Sequence, residues 1–176
     1  MITSKAHTVK ATSFIAEKVV LGGVHQWRLV RHDDFDHEVE GWSLLETSSC
    51  SAASADRFLG GHCNIANGEV TKTYRNLPPH KQIRLAARYH FIDNWQGETA
   101  FLKLGEHYAW SHRSRASDAV KGIEMCGNAK YPESQMSTPI DVVQAHSDSF
   151  LQVSFGSRGG DAEQSPCERS FGVDDV

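Results

Sequence analysis

Residues 82 to 91, QIRLAARYHF, place Ile83, Leu85, Ala87, Tyr89 and Phe91 on one side of an extended chain and Gln82, Arg84, Arg88 and His90 on the other. A strand sends successive side chains to opposite faces, so this period of two describes a strand with one apolar and one wet side. SFLQVSF, residues 149 to 155, repeats it with Leu151, Val153 and Phe155 inward. No comparable stretch keeps apolar groups at i, i+3, i+4 and i+7 between capping residues, so helices are not expected. Shorter strands are expected over 11–20, 25–30, 42–46, 69–75, 99–104, 106–110, 120–125, 138–144 and 169–176. Turn residues separate them: LGG at 21–23, NG at 67–68, NLPPH at 76–80, QG at 96–97, CGN at 126–128 and GSRGGD at 156–161. Many short strands with turns between them predict an all-β fold, an antiparallel β-sandwich, built as a single domain over residues 1–176.

A net charge of −4 lacks the basic excess that collects phosphate, so nucleic acid is not an expected partner. Protonating the ten histidines would reverse the sign of that charge, which makes the surface field pH-dependent. No apolar run reaches the length of a membrane span. The first twenty residues carry no apolar h-region, which favours a cytoplasmic location and free thiols, with the cell surface or secretion as the alternative. Four cysteines in Gly-, Ser- and Asn-rich surroundings instead suit two disulfides.

Catalytic motifs are sparse. Asp93, Trp95 and Glu98 crowd one short connection, HFIDNWQGETAFLKL. Two carboxylates five residues apart across a turn seldom face each other over the roughly 5 to 9 Å that glycoside hydrolysis requires. The expected roles are structural: Asp93 accepts backbone N–H bonds, Trp95 covers an edge, Glu98 pairs with a basic residue on a neighbouring strand, and Gly97 takes the positive-φ turn position. The chain has no G-x-S-x-G elbow and no nucleotide-binding glycine loop. Zinc ligands are present as residue types, but His62 and Cys63 are adjacent, with no CxxC or HxxxH spacing, so further ligands would have to come from distant segments.

Several ordered motifs, GWSLLETSSC, RFLGGHC, GEVTKTYRNLPPHKQIRLAARYHFIDNWQGE, MCGN, LQVSFGS and CERSFGVDDV, resemble a galactose-binding-like (jelly-roll) module. That module recurs in large cysteine-containing surface and ciliary proteins of ciliates, apicomplexans and related protists. The resemblance covers residues 41–176 and leaves 1–40 unmatched. It implies a non-catalytic recognition or assembly domain, with a structural Ca²⁺ in some relatives of the wider fold. The last strand stops at its expected middle, so a further C-terminal segment is expected.

Calcium takes six to eight oxygen ligands, and RHDDFDHEVEGW is the richest acidic stretch. In jelly-roll relatives an early acidic loop lies beside the final strand, so Asp33, Asp34 and Asp36 with Glu168, Asp174 or Asp175 form the candidate Ca²⁺ set; the alternative is a solvated acidic loop. For disulfides, Cys126 with Cys167 is expected from their positions flanking the last strands, and Cys50 with Cys63 from the short loop they would close, although four cysteines permit three pairings. The expected function is a non-enzymatic interaction module binding a protein partner. Trp27, Tyr108, Trp110, Arg84 and Arg88 are the candidate contacts, since Trp, Tyr and Arg contribute disproportionately to interfaces. Calcium-dependent carbohydrate binding is the alternative, and a hydrolase using Asp93 and Glu98 comes last.

Overall fold

The computed structural model describes residues 12, 19–51, 54–114, 122–133, 135–160 and 165–176. Among them are eleven strands and no helix: β1 Val20–Leu21, β2 Val24–His25, β3 Thr47–Ser48, β4 Phe58–Gly60, β5 Gly68–Arg75, β6 Gln82–Asp93, β7 Thr99–Leu104, β8 His107–Arg113, β9 Ser137–Ala145, β10 Phe150–Arg158 and β11 Arg169–Asp174. All pairings are antiparallel. One sheet runs β5-β10-β7-β8 and the other β3-β4-β11-β6-β9, with β1 and β2 forming a small separate hairpin.

The two larger sheets pack face to face because the alternation supplies each with one apolar side. Leu85, Ala87, Tyr89 and Phe91 of β6, with Phe171 and Val173 of β11, meet Val70, Ala100, Leu102, Leu104, Val153 and Phe155 from the opposite sheet. Val153, Phe155 and Phe171 are completely enclosed, and each such side chain contributes about 1.5–3 kcal/mol relative to exposure. Tyr89 stacks on Phe171 with ring centroids 5.2 Å apart and donates its hydroxyl to the Gly156 carbonyl across the layers at 3.1 Å.

The strand over 82–91 forms as expected and continues to Asp93, but its wet face is only partly wet. His90 is buried with its ring centroid 4.7 Å from that of Phe58, and beside it Ile92, Phe58 and Cys126 form a second, smaller cluster on the outer side of the five-stranded sheet. Residues 42–46 do not make a strand. Trp42 forms a single bridge to Lys72 and buries its ring against Phe35 and Phe155. Of 25–30 only His25 is in a strand, and Ile123 makes one bridge, to Glu133. Most of the expected strand at 11–20 lies outside the described residues.

The acidic loop closes one end of the sandwich. Lys72 shares a face of β5 with Val70 and Tyr74, which turns its ammonium toward the interior. Asp33 meets it there: both carboxylate oxygens accept from Lys72 Nζ, at 2.9 and 2.8 Å, and Oδ2 also accepts from Tyr74 and Trp42 Nε1. Burial first, then its bond to Asp33, pushes the Tyr74 phenol well above its ordinary pKa. Asp33 and Val176 exchange backbone hydrogen bonds in both directions, which ties this loop to the residues that follow β11.

Candidate functional site

Asp93, Trp95 and Glu98 lie inside the molecule. Asp93 adopts φ 65° and its side chain is fully enclosed; Oδ1 accepts the Asn128 amide at 2.6 Å and Oδ2 pairs with His62 Nδ1 at 2.6 Å. The expected acceptor role is present, but the groups it ties down come from two distant turns. Glu133 receives the amides of Asp93 and Met125; burial holds its carboxyl above the usual carboxylate range, with those amides opposing the shift. Trp95 does not cover an edge. It is a core residue, edge-on to Phe91 at 4.8 Å, with Nε1 donating to the Ser170 carbonyl.

Glu98 does pair with an arginine, but Arg169 reaches it from the other sheet: Nη1 to Oε1 is 3.0 Å, with side chains 0% and 3% exposed. Glu98 Oε2 also accepts the Gln96 amide. Both carboxylates are thus enclosed and hydrogen-bonded, so a hydrolase built on them has no acid open to substrate.

The enclosed Glu98–Arg169 pair supports the residues around a surface feature. Arg169 also donates to Asn67 Oδ1 at 2.5 Å and to the Gly159 carbonyl at 3.3 Å, drawing the start of β5 toward the end of β10. Gly160 lies over the pair with φ +76°, and a Cβ there would stand 2.5 Å from Glu98 Oε1. Between these segments opens a depression of about 410 Å³ lined by Asn67, Glu69, Phe101, Ser157, Arg158 and the neighbouring glycines.

Beside the depression, the outer face of the four-stranded sheet carries an aromatic and charged patch. Ala100, Leu102 and Leu104 of β7 point into the core, which sends Phe101 and Lys103 outward. The Phe101 ring lies over Gly156, where a Cβ would come within 2.5 Å of it, and Tyr108 packs edge-on at 5.3 Å. Lys103 Nζ and the Arg158 guanidinium flank both rings at 5.2 to 5.8 Å. Glu69 accepts from Lys103 at 2.5 Å and lies 3.7 Å from Arg158. Tyr108 is 53% exposed. The patch presents the Tyr108 ring and the Arg158 guanidinium, with Lys103 and Glu69 mostly covered and Phe101 buried beneath them.

The other candidate contacts scatter. Trp27 is exposed on the segment after β2, near the exposed Leu29. Trp110 is half-buried, packed against the core with Tyr89 and His112 as ring neighbours. Arg84 and Arg88 lie on the outer face of the other sheet, in exposed ion pairs with Asp141 and Asp175. Asn67, Glu69, Phe101 and Arg158 were not singled out in the sequence; the alternation of TAFLKL, with an aromatic on its wet side, was the available signal.

The expected disulfides are re-paired: Cys50 joins Cys126, and Cys63 joins Cys167, leaving no free thiol among the four. Neither Cys126–Cys167 nor Cys50–Cys63 forms, because β4 lies beside β11 and carries Cys63 to Cys167.

The candidate calcium set divides. Asp33 is occupied by Lys72, Tyr74 and Trp42, as above. Asp34 Oδ1 accepts the Asp36 amide, and Asp36 Oδ1 the Arg57 amide. Glu168 precedes β11 while Asp174 ends it, so they sit at opposite ends of that strand. Asp174 instead lies in an acidic group with Asp36, Asp56 and Asp175: partial desolvation, then those three charges, hold Asp56 above its ordinary 3.8, with His90 opposing. A carboxyl raised in the folded state keeps its proton more tightly there than when unfolded. Stability therefore falls as pH rises through 3.8 and the raised folded value, and the penalty is complete at neutral pH. Asp56→Asn is expected to stabilise the fold at pH 7 by no more than a few tenths of a kcal/mol, about the size left to exposed charges after solvent screening, read as a slightly higher urea midpoint, and to lose that gain below pH 3.8. A calcium-dependent rise in the wild-type midpoint that disappears in Asp56→Asn would identify these acids as ligands.

No protein-family model and no curated protein matches this chain.

Proposed function

We propose that the chain is a non-catalytic recognition module that binds a protein partner through the Tyr108 patch. The supporting observation is the half-exposed Tyr108 standing on Phe101 between Lys103 and Arg158, outside the core and beside the register shift of the β7–β8 pair. An aromatic ring held rigidly between cations contributes large contact area at small entropic cost, which suits the anchor of an interface. A galactose-binding-like jelly roll in a larger surface or ciliary assembly is the setting in which such a module is expected.

Affinity capture from the source cell with wild-type chain and with Tyr108→Ala/Arg158→Ala tests this. The double variant should lose its specific partner, with affinity falling about thirtyfold for a loss near 2 kcal/mol, while its unfolding midpoint stays close to wild type. Retention of every partner at wild-type affinity would remove the patch from the interface.

A second reading has its own observation. The depression next to Tyr108 gathers Asn67, Glu69 and Arg158 beside an aromatic platform, a combination that suits a sugar's apolar face and hydroxyls. Saturable binding on a glycan array, abolished by Tyr108→Ala and tested with and without EDTA, would favour it.

A further inference from the structure

The turn after β4 and the turn before β11 bring His62, Cys63 and Cys167 together, with one ligand atom from each lying within 4.8 Å of the others. Their backbones are held in place. The Cys63 amide donates to the Pro166 carbonyl at 3.1 Å and lies 3.3 Å from Ser170 Oγ, whose hydroxyl donates to the same carbonyl at 2.5 Å. Cys63 itself has φ 64°, a left-handed conformation uncommon for a residue with a side chain, which the surrounding bonds maintain. His62 Nδ1 is held by Asp93 at 2.6 Å, leaving Nε2 as the free ring nitrogen.

We propose that opening the Cys63–Cys167 disulfide converts this cluster into a Zn²⁺ site, with His62 Nε2 and the two thiolates as ligands. Two thiolates and an imidazole are the donors Zn²⁺ prefers; bonds of about 2.0–2.3 Å in a tetrahedron place donor atoms roughly 3.3–3.8 Å apart. The His62-to-sulfur separations, at most 4.8 Å, need to shrink by about 1 Å, while the two sulfurs, 2.04 Å apart in the disulfide, move apart by roughly 1.7 Å once it opens. Asp93 supplies the carboxylate that ligating histidines commonly have behind them, fixing the tautomer and ring orientation. Three protein ligands leave the fourth position to water.

The chemistry balances with an external dithiol as reductant. The dithiol gives two electrons and two protons to the S–S bond and becomes its own disulfide, while Cys63 and Cys167 become thiols. Zn²⁺ then displaces those two protons as two Zn–S bonds form. Accessibility selects this bond: Cys63 and Cys167 are exposed, whereas Cys126 is 4% exposed within the small outer cluster with Cys50 packed against it.

Stepwise reduction of the full chain, followed by mass and alkylation mapping and then titration with Co²⁺, tests the proposal. Cys63 and Cys167 should label first, and Co²⁺ should produce the intense thiolate-to-cobalt band and visible d–d bands of a tetrahedral ion, which Zn²⁺ then displaces. Cys167→Ser should abolish the thiolate band, and His62→Ala should weaken binding at least tenfold. Circular dichroism follows the fold throughout. Should reduction unfold the chain, restoration of the β spectrum by Zn²⁺ supports the site, and failure to restore it overturns the proposal. So would a folded reduced chain that gives no cobalt band, or a band undiminished in both variants. Partner and glycan binding do not enter these readouts, so the outcome is independent of the recognition reading.

Discussion

Arg169→Met is expected to lower the unfolding free energy by about 3–5 kcal/mol, read as a drop in urea midpoint at unchanged m-value. The guanidinium is completely enclosed and Glu98 nearly so, which leaves the carboxylate little water to recover once its partner is gone. Arg169 also carries Asn67, Gly159 and a face of Trp95, its Cζ 5.5 Å from that ring, so the same change loosens two residues that line the depression. Adding Glu98→Gln should return much of the loss, because the unpaired charge disappears and a neutral amide stays near the Gln96 N–H. If the single variant costs under about 1 kcal/mol, the pair is not enclosed as described.

Cys50→Ser/Cys126→Ser is expected to cost about 4 kcal/mol. The bond closes a sequence separation of 76 residues, and on the chain-entropy account a loop of that size restrains the unfolded ensemble by roughly this amount. Its removal also takes the lid from Phe58, Ile92 and Met136, which pack around it on the outer side of the five-stranded sheet. Thermal or urea unfolding of the oxidised variant against wild type measures the effect. Non-reducing peptide mapping should find Cys50 linked to Cys126 and Cys63 to Cys167. Recovery of a Cys50–Cys63 peptide would require β4 to pack elsewhere.

Local periodicity carried the sheet faces well. Ile83, Leu85, Ala87, Tyr89 and Phe91 were readable because a single rule, alternation against one core, decides them. His90 and Ile92 escaped that rule because a second apolar cluster sits on the opposite side, built from Phe58 and Cys126 that are remote in sequence. Residues 42–46 have strand composition, yet Trp42 serves better as a plug against Phe35 and Phe155 than as a rung. The partner of Glu98 was anticipated by charge but not by location, since the strand that supplies it belongs to the other layer. Cysteine pairing depends on which strands become neighbours, and the β4–β11 contact is a property of topology that spacing does not encode. At the candidate site Tyr108 was visible as an aromatic of the kind interfaces favour. The depression was not, because Asn67, Glu69 and Arg158 converge through the pairing of β5 with β10 and a buried arginine 102 positions away from the first of them.

The Cys63–Cys167 bond also sets how the chain answers to mechanical tension. Force entering before residue 63 and leaving after residue 167 crosses through sulfur, so the chain between them, a sequence separation of 104, stays slack however hard the ends are pulled. Reduction of this bond alone would shift the load to the Cys50–Cys126 bridge, lengthening the loaded path between residues 50 and 167 by about 95 Å of extended backbone and turning a short, stiff link into a longer, more compliant one.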